Sequence, residues 1–188
     1  MGPLEVVAIL AVLIGVWYPL ASVIGRRINA RAALACAELC DVRRYLATGT
    51  SYLVELQCDW ARYVGVFVQR LPWDNPLNLI ASLLAARKPL ALIKIDLGKI
   101  TSWNLDMSSR GARGFAERVG KYYVVRRNAP KALVRELAKA GEELGIVRLV
   151  FEEGAPISIY IPSTDCPSII HISKTIIKII ENYMGGNT

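Results

Sequence analysis

A single histidine, His171, stands in the 188 residues of this chain. Catalytic triads with spare metal ligands, histidine-rich zinc sites and histidine relays need more imidazoles, which leaves carboxylates and lysines as the catalytic resource. The sequence also lacks a Gly-Lys-Ser/Thr phosphate loop and the glycine fingerprint of dinucleotide-binding folds, so nothing in it supports nucleotide hydrolysis or dinucleotide binding. Glutamine occurs only at Gln57 and Gln69, a scarcity that points weakly towards a thermophile. Low-complexity tracts and solenoid repeats are absent. Charged residues make up 21% against 53% hydrophobic. That balance is too apolar for disorder, and the length suits one ordinary domain with an added segment rather than a multidomain enzyme.

What the chain does have is one long uncharged run, VVAILAVLIGVWYPLASVI, from Val6 to Ile24. As a helix rising about 1.5 Å per residue it spans roughly 28 Å, the thickness of a bilayer core. Residues 1–25 are therefore expected to form a transmembrane anchor. A cleaved signal peptide fits poorly, because the leading Met-Gly-Pro-Leu-Glu carries no basic side chain and the run ends in Arg26 and Arg27. Myristoylation at Gly2 is disfavoured by Pro3 and by Val6 where Ser or Thr is required. Arg26, Arg27 and Arg31 follow the run and no Lys or Arg precedes it. The positive-inside bias then predicts a single-pass protein of the cell membrane, N-terminus outside and C-terminal domain cytoplasmic.

Residues 26–70 read as a helical stalk continuing the anchor, broken at Thr48 to Ser51, and then an amphipathic helix from Tyr52 to Arg70. That second helix would line up Leu53, Leu56, Trp60, Val64 and Phe67. Residues 71–188 read as a cytoplasmic α+β domain. Asn75 is a good N-cap ahead of Pro76, and Pro89 would stop a helix reaching Lys88. Alternating strands are expected near Ala91 to Leu97 and Lys121 to Arg127. A helix opened by Pro130 and ended by Gly145 comes next, then a hairpin of IVRLVFEE and ISIYI and a final helix from about Pro167 to Tyr183. This ββαββα order implies a mostly antiparallel sheet of about four strands with packed helices. The final helix carries Ile170, Ile177 and Ile179 beside its main stripe of Ile169, Ile172, Ile176 and Ile180, so a second copy or a partner helix is expected against it or against the stalk.

Cys36 and Cys40 fall on one face of the predicted stalk, with Cys58 on the next helix. A structural zinc site needs four clustered ligands, and only Cys166 and His171 remain, so no metal is expected. The four cysteines read as small buried residues, with free thiols in a reducing cytosol and disulfides only in a hyperthermophile.

The net charge of +7 is local: residues 99–128 hold seven cations against two acids. Lys99, Arg110, Arg113, Arg118, Lys121, Arg126 and Arg127 are therefore the expected anion-binding residues. Trp103, Tyr122 and Tyr123 interleave with them, as aromatic contacts do in single-stranded nucleic-acid binders. Membrane tethering adds acidic lipid as a target, and an acidic protein surface would also fit.

The acids Asp96 and Asp106, with Glu152 and Glu153, are the remaining catalytic candidates, but no third ligand or activated nucleophile is spaced to complete a site. The sequence thus predicts an anchored, non-catalytic binding or assembly module with a basic surface and no cofactor. The rival expectation is a metal-assisted enzyme acting on a phosphate-containing or membrane-derived substrate through Asp96 and Asp106.

Overall fold

The computed structural model describes residues 2–98, 103–111 and 116–184. Its longest element, α1 (Pro3–Leu34), starts with Pro3 in the first turn and Glu5 accepting a hydrogen bond from Gly2 N at 3.0 Å. Residues 2–20 are exposed throughout. From there a buried residue recurs at every fourth position, Ala21, Gly25, Asn29 and Ala33, the stripe a helix presents when it lies on a surface. Gly25 permits the contact, because a Cβ there would collide with the Gly49 carbonyl oxygen and the Trp73 ring. Among the described residues this is the one helix long and apolar enough to cross a membrane.

Past Leu34 the expected stalk stops. A 3-10 turn (Ala35–Glu38) leads into three strands, β1 (Asp41–Ala47), β2 (Ser51–Cys58) and β3 (Ala61–Gln69), so the helical reading of residues 40–70 is corrected. Two periodicities compete there. Leu53, Trp60 and Phe67 fit a helix, whereas Tyr52, Val54, Leu56 and Cys58, then Val64, Val66 and Val68, fit strands, and only the second set is fully buried. Asp59 and Trp60 supply the two-residue turn that closes the Cys58–Ala61 pair, and the β-branched and aromatic side chains pack well on a pleated surface.

The remaining elements are α2 (Pro76–Leu84), β4 (Leu90–Asp96), β5 (Asn104–Ser108), β6 (Glu117–Val119), β7 (Tyr122–Arg127), α3 (Lys131–Glu143), β8 (Arg148–Phe151), β9 (Ile157–Ile161) and α4 (Cys166–Met184). Thus α2 ends four residues earlier than Lys88. The α+β class holds, but among the described residues the sheet has nine strands rather than about four, in the order β1-β2-β3-β4-β9-β8-β5-β7-β6, with all neighbours antiparallel. Strands β1 to β3, within residues 41–69, therefore belong to the same sheet as the later strands.

One face of the sheet carries the core, where Val54, Leu56, Ile93, Ile95, Met107, Leu149 and Ile159 are fully buried with α3 and α4. On the other face one cross-strand row runs Leu46, Leu53, Phe67, Leu92, Tyr160, Arg148, Ser108, Tyr123 and Arg118. Helix α4 buries Ile170 and Ile177 as well as Ile169, Ile176 and Ile180. Much of its broad apolar surface is thus packed inside the fold, with Ile172 and Ile179 partly buried.

The cysteines are bonded rather than free. Cys36 joins Cys166 across 130 residues, and Cys40 joins Cys58 across 18. The first ties the turn after α1 to the start of α4, and the second ties the entry of β1 to the end of β2.

Candidate functional site

The end of β3, α2 with the segment after it, and the turn that follows β5 enclose an open cleft of about 770 Å³. Arg70 comes from the end of β3. Arg87 and Lys88 come from the α2 tail, which Ala86 redirects by adopting a φ of +48°. Arg110 follows β5, where Ser109 N donates to Val147 O at 2.9 Å and Arg110 N donates to Ser108 Oγ at 3.3 Å. Thr50, Gln69, Asn78 and Ser82 add neutral polar groups, and none of the described residues lining the cleft is acidic. Four cations lining one concavity make a field that favours an anion, and arginine forks match phosphate or carboxylate oxygens.

On the other flank of α2 lies an apolar cleft of about 370 Å³ formed by Gly25, Ile28, Trp73 and Leu79, which shares Arg70 and Leu71 with the first. Asn29, another of its lining residues, is fully buried; its Nδ2 donates to Thr48 O at 2.9 Å, but among the described residues its Oδ1 has no partner, and neither has the buried Nε of Arg70. Buried polar atoms of this kind are normally satisfied by a bound group or an ordered water.

The residues expected from sequence do not gather in one place. Among the described ones, only Arg110 reaches the basic cleft. Arg118, Tyr123 and Arg127 lie on the exposed side of the β6–β7 pair. Arg126 points to the other side, where it faces Glu117 at 3.5 Å and donates from Nη1 to Ala129 O at 3.1 Å. The Nζ of Lys121 sits 5.2 Å from the centre of the Tyr122 ring. Lys99 and Arg113 lie outside the described residues.

Two of the three proposed aromatic contacts are core residues. Trp103 is 9% exposed. Tyr122 is fully buried and donates its hydroxyl to Ile146 O at 2.7 Å. Burial, and secondarily the Glu142 carboxylate, raise its pKa above the ordinary tyrosine value. Neither ring has a face free for a base. Tyr123 alone is exposed.

The acids also separate. Asp106 holds Arg148 in a two-pronged ion pair, with Nη2 to Oδ2 at 2.6 Å and Nε to Oδ1 at 2.9 Å, and Asp96 accepts from Gly98 N at 2.8 Å. Two strands, β9 and β8, lie between β4 and β5, which puts the strands carrying these acids roughly 14 Å apart at the usual strand spacing. They share no metal or proton-transfer site. No group of metal-binding side chains occurs among the described residues.

Sequence reasoning missed Arg70, Arg87 and Lys88 because they are 40 and 22 or more positions from Arg110. The available signal was the Arg87-Lys88 pair, which a helix-dipole role explained equally well. No known protein family matches the chain, and no curated protein matches it.

Proposed function

We propose that the chain is a single-pass, membrane-anchored, non-catalytic binding module whose basic cleft takes an anionic ligand at the membrane surface, foremost an acidic lipid headgroup. The observation that carries this reading is the convergence of Arg70, Arg87, Lys88 and Arg110 on a cleft whose described lining has no carboxylate. Anionic headgroups concentrate within a Debye length of such cations. Single-stranded nucleic acid is a weaker fit, since burial of Trp103 and Tyr122 removes the rings that would stack on bases.

Anchoring is supported by the exposed apolar length of α1 and by the packing of Ala21, Gly25, Asn29 and Ala33 on the domain. A helix whose base is bound by Cys36 to Cys166 is built into the domain, unlike a leader made for removal. Arg26, Arg27 and Arg31 favour an outside N-terminus and a cytoplasmic domain; the two disulfides then belong to a cytosol of the hyperthermophilic kind. A second reading, a domain in an oxidising compartment, is favoured by the same disulfides. Protease added to sealed inside-out vesicles should digest the domain under the first reading and spare it under the second.

Ligand binding is tested on the full chain in neutral detergent by titrating short-chain phosphatidylglycerol at about 50 mM salt, where phosphate contacts are strong, and following tryptophan emission. Replacing Arg87 and Lys88 by Ala should abolish the response, and replacing Arg126 and Arg127 should leave it. The reverse ranking would relocate the site to the β6–β7 pair, and no response in the unmodified chain would retire the proposal.

A further inference from the structure

We infer that α2 is a second membrane contact, lying in the bilayer interface with its apolar face among the lipid chains. This rests on the reading that α1 spans the membrane. The helix sequence, PLNLIASLL, leaves Leu77, Ile80, Leu83 and Leu84 exposed by 70, 55, 58 and 84%. At 100° per residue, positions 77, 80 and 84 fall within a sector of roughly 60°, with 83 beside it. The inward side holds Leu79, in the apolar cleft, and Ser82, which is 3% exposed. Four large apolar side chains on nine residues form a patch that water-exposed surfaces rarely keep.

The occupant follows from where α2 sits relative to α1. The exposed part of α1, Pro3 to Leu20, is about 27 Å long at 1.5 Å per residue, close to one hydrocarbon core, which puts Trp17 near the boundary on the domain side. Trp17 Nε1 donates to the backbone oxygen of Trp73 at 3.1 Å, and Trp73 Nε1 donates to Gly49 O at 3.0 Å. Segment 73–75 is thereby held at that boundary, and α2 begins at Pro76. Tryptophan pairs at this level are typical of the membrane–water interface. Arg87 and Lys88, just past the helix, are the cationic flank that interfacial helices carry towards headgroups.

The test uses the full chain with its native disulfides in vesicles of phosphatidylcholine and phosphatidylglycerol. Spin labels are attached one at a time through Leu77→Cys, Ile80→Cys, Leu84→Cys, Asn78→Cys and, as an anchor control, Ile9→Cys. Labels at 9, 77, 80 and 84 should show oxygen-to-nickel-chelate accessibility ratios several-fold above that at 78. A shielded label at 9 with nickel-accessible labels at 77, 80 and 84 would overturn the inference and leave the anchor standing. An accessible label at 9 would overturn both. Labels at 80 and 84 hidden from both reagents and broadened by neighbouring spins would mean that a second copy covers the face, which also overturns it.

Discussion

Cys36 and Cys166 stand 5.4 Å apart at their Cα atoms although 130 residues separate them, and their disulfide fastens the foot of α1 to the start of α4. By chain entropy a loop of that length stabilises by about 5 kcal/mol, against about 3 kcal/mol for the 18-residue loop of Cys40 and Cys58. Melting of the Cys36→Ser/Cys166→Ser protein should therefore fall further below wild type than that of Cys40→Ser/Cys58→Ser. Mass analysis after alkylation should show no modified thiol until the chain is reduced. Equal losses from the two double substitutions would contradict the loop-length ordering.

Two glycines of α1 should respond oppositely to a methyl group. At Gly25 a Cβ meets backbone and the Trp73 ring, whereas at Gly15 nothing lies within 4 Å. Gly25→Ala should cost about 1–3 kcal/mol through overpacking, and Gly15→Ala should be neutral or slightly stabilising through helix propensity. Denaturant midpoints of the two proteins check this directly.

Neighbouring tyrosines on β7 offer a cleaner separation of packing from surface chemistry. Tyr122→Phe removes the hydroxyl bonded to Ile146 O and leaves a buried acceptor unpaired, costing about 1–3 kcal/mol. Tyr123→Ala alters a residue 40% exposed, and exposed substitutions usually stay within about 0.5 kcal/mol. A larger loss at Tyr123 would mean that the outer face of the sheet is covered.

Stability should decline at both ends of the pH scale. Burial pushes Tyr52 up to about 12, with smaller and opposing effects of Arg70 and Asp165, and burial also raises Tyr122. A raised folded-state pKa means that the unfolded chain loses its phenolic protons first. The stabilisation is whole below pH 10, the ordinary value, and drains away as pH climbs towards 12. Asp165 shifts the other way, lowered chiefly by its hydrogen bonding with Ser168 at the start of α4. Its contribution is present above pH 3.8 and is lost as pH falls below that. Urea midpoints measured across pH 3 to 12 should trace both limbs, and Asp165→Asn should flatten the acid one.

Legibility in the sequence followed how local the determining interactions are. Helix α2 was readable from Asn75 and Pro76 because the cap is made within three residues: Asn75 Oδ1 accepts from Leu77 N at 3.1 Å and Asn78 N at 3.2 Å. The β8–β9 hairpin and the apolar stripe of α4, with Ile169, Ile176 and Ile180, were equally plain. Residues 41–69 were not, since Leu53, Leu56, Trp60, Val64 and Phe67 satisfy a helical period while their neighbours satisfy a period of two. What settles that contest is the pairing of β3 with β4, residues more than twenty positions away.

The sequence by itself determined the apolar run, the α+β class, the caps and most of the later elements, because each depends on periodicity or on contacts within a few residues. Only the tertiary structure decided which cysteines pair, that the sheet has nine strands, and which cations share a cleft. Arg110 left the charge run that made it conspicuous and joined Arg70, Arg87 and Lys88 because antiparallel pairing brings strand ends from distant parts of the chain to the same end of the sheet. Charge density along a chain measures neighbours in sequence; a binding field is made by neighbours in space.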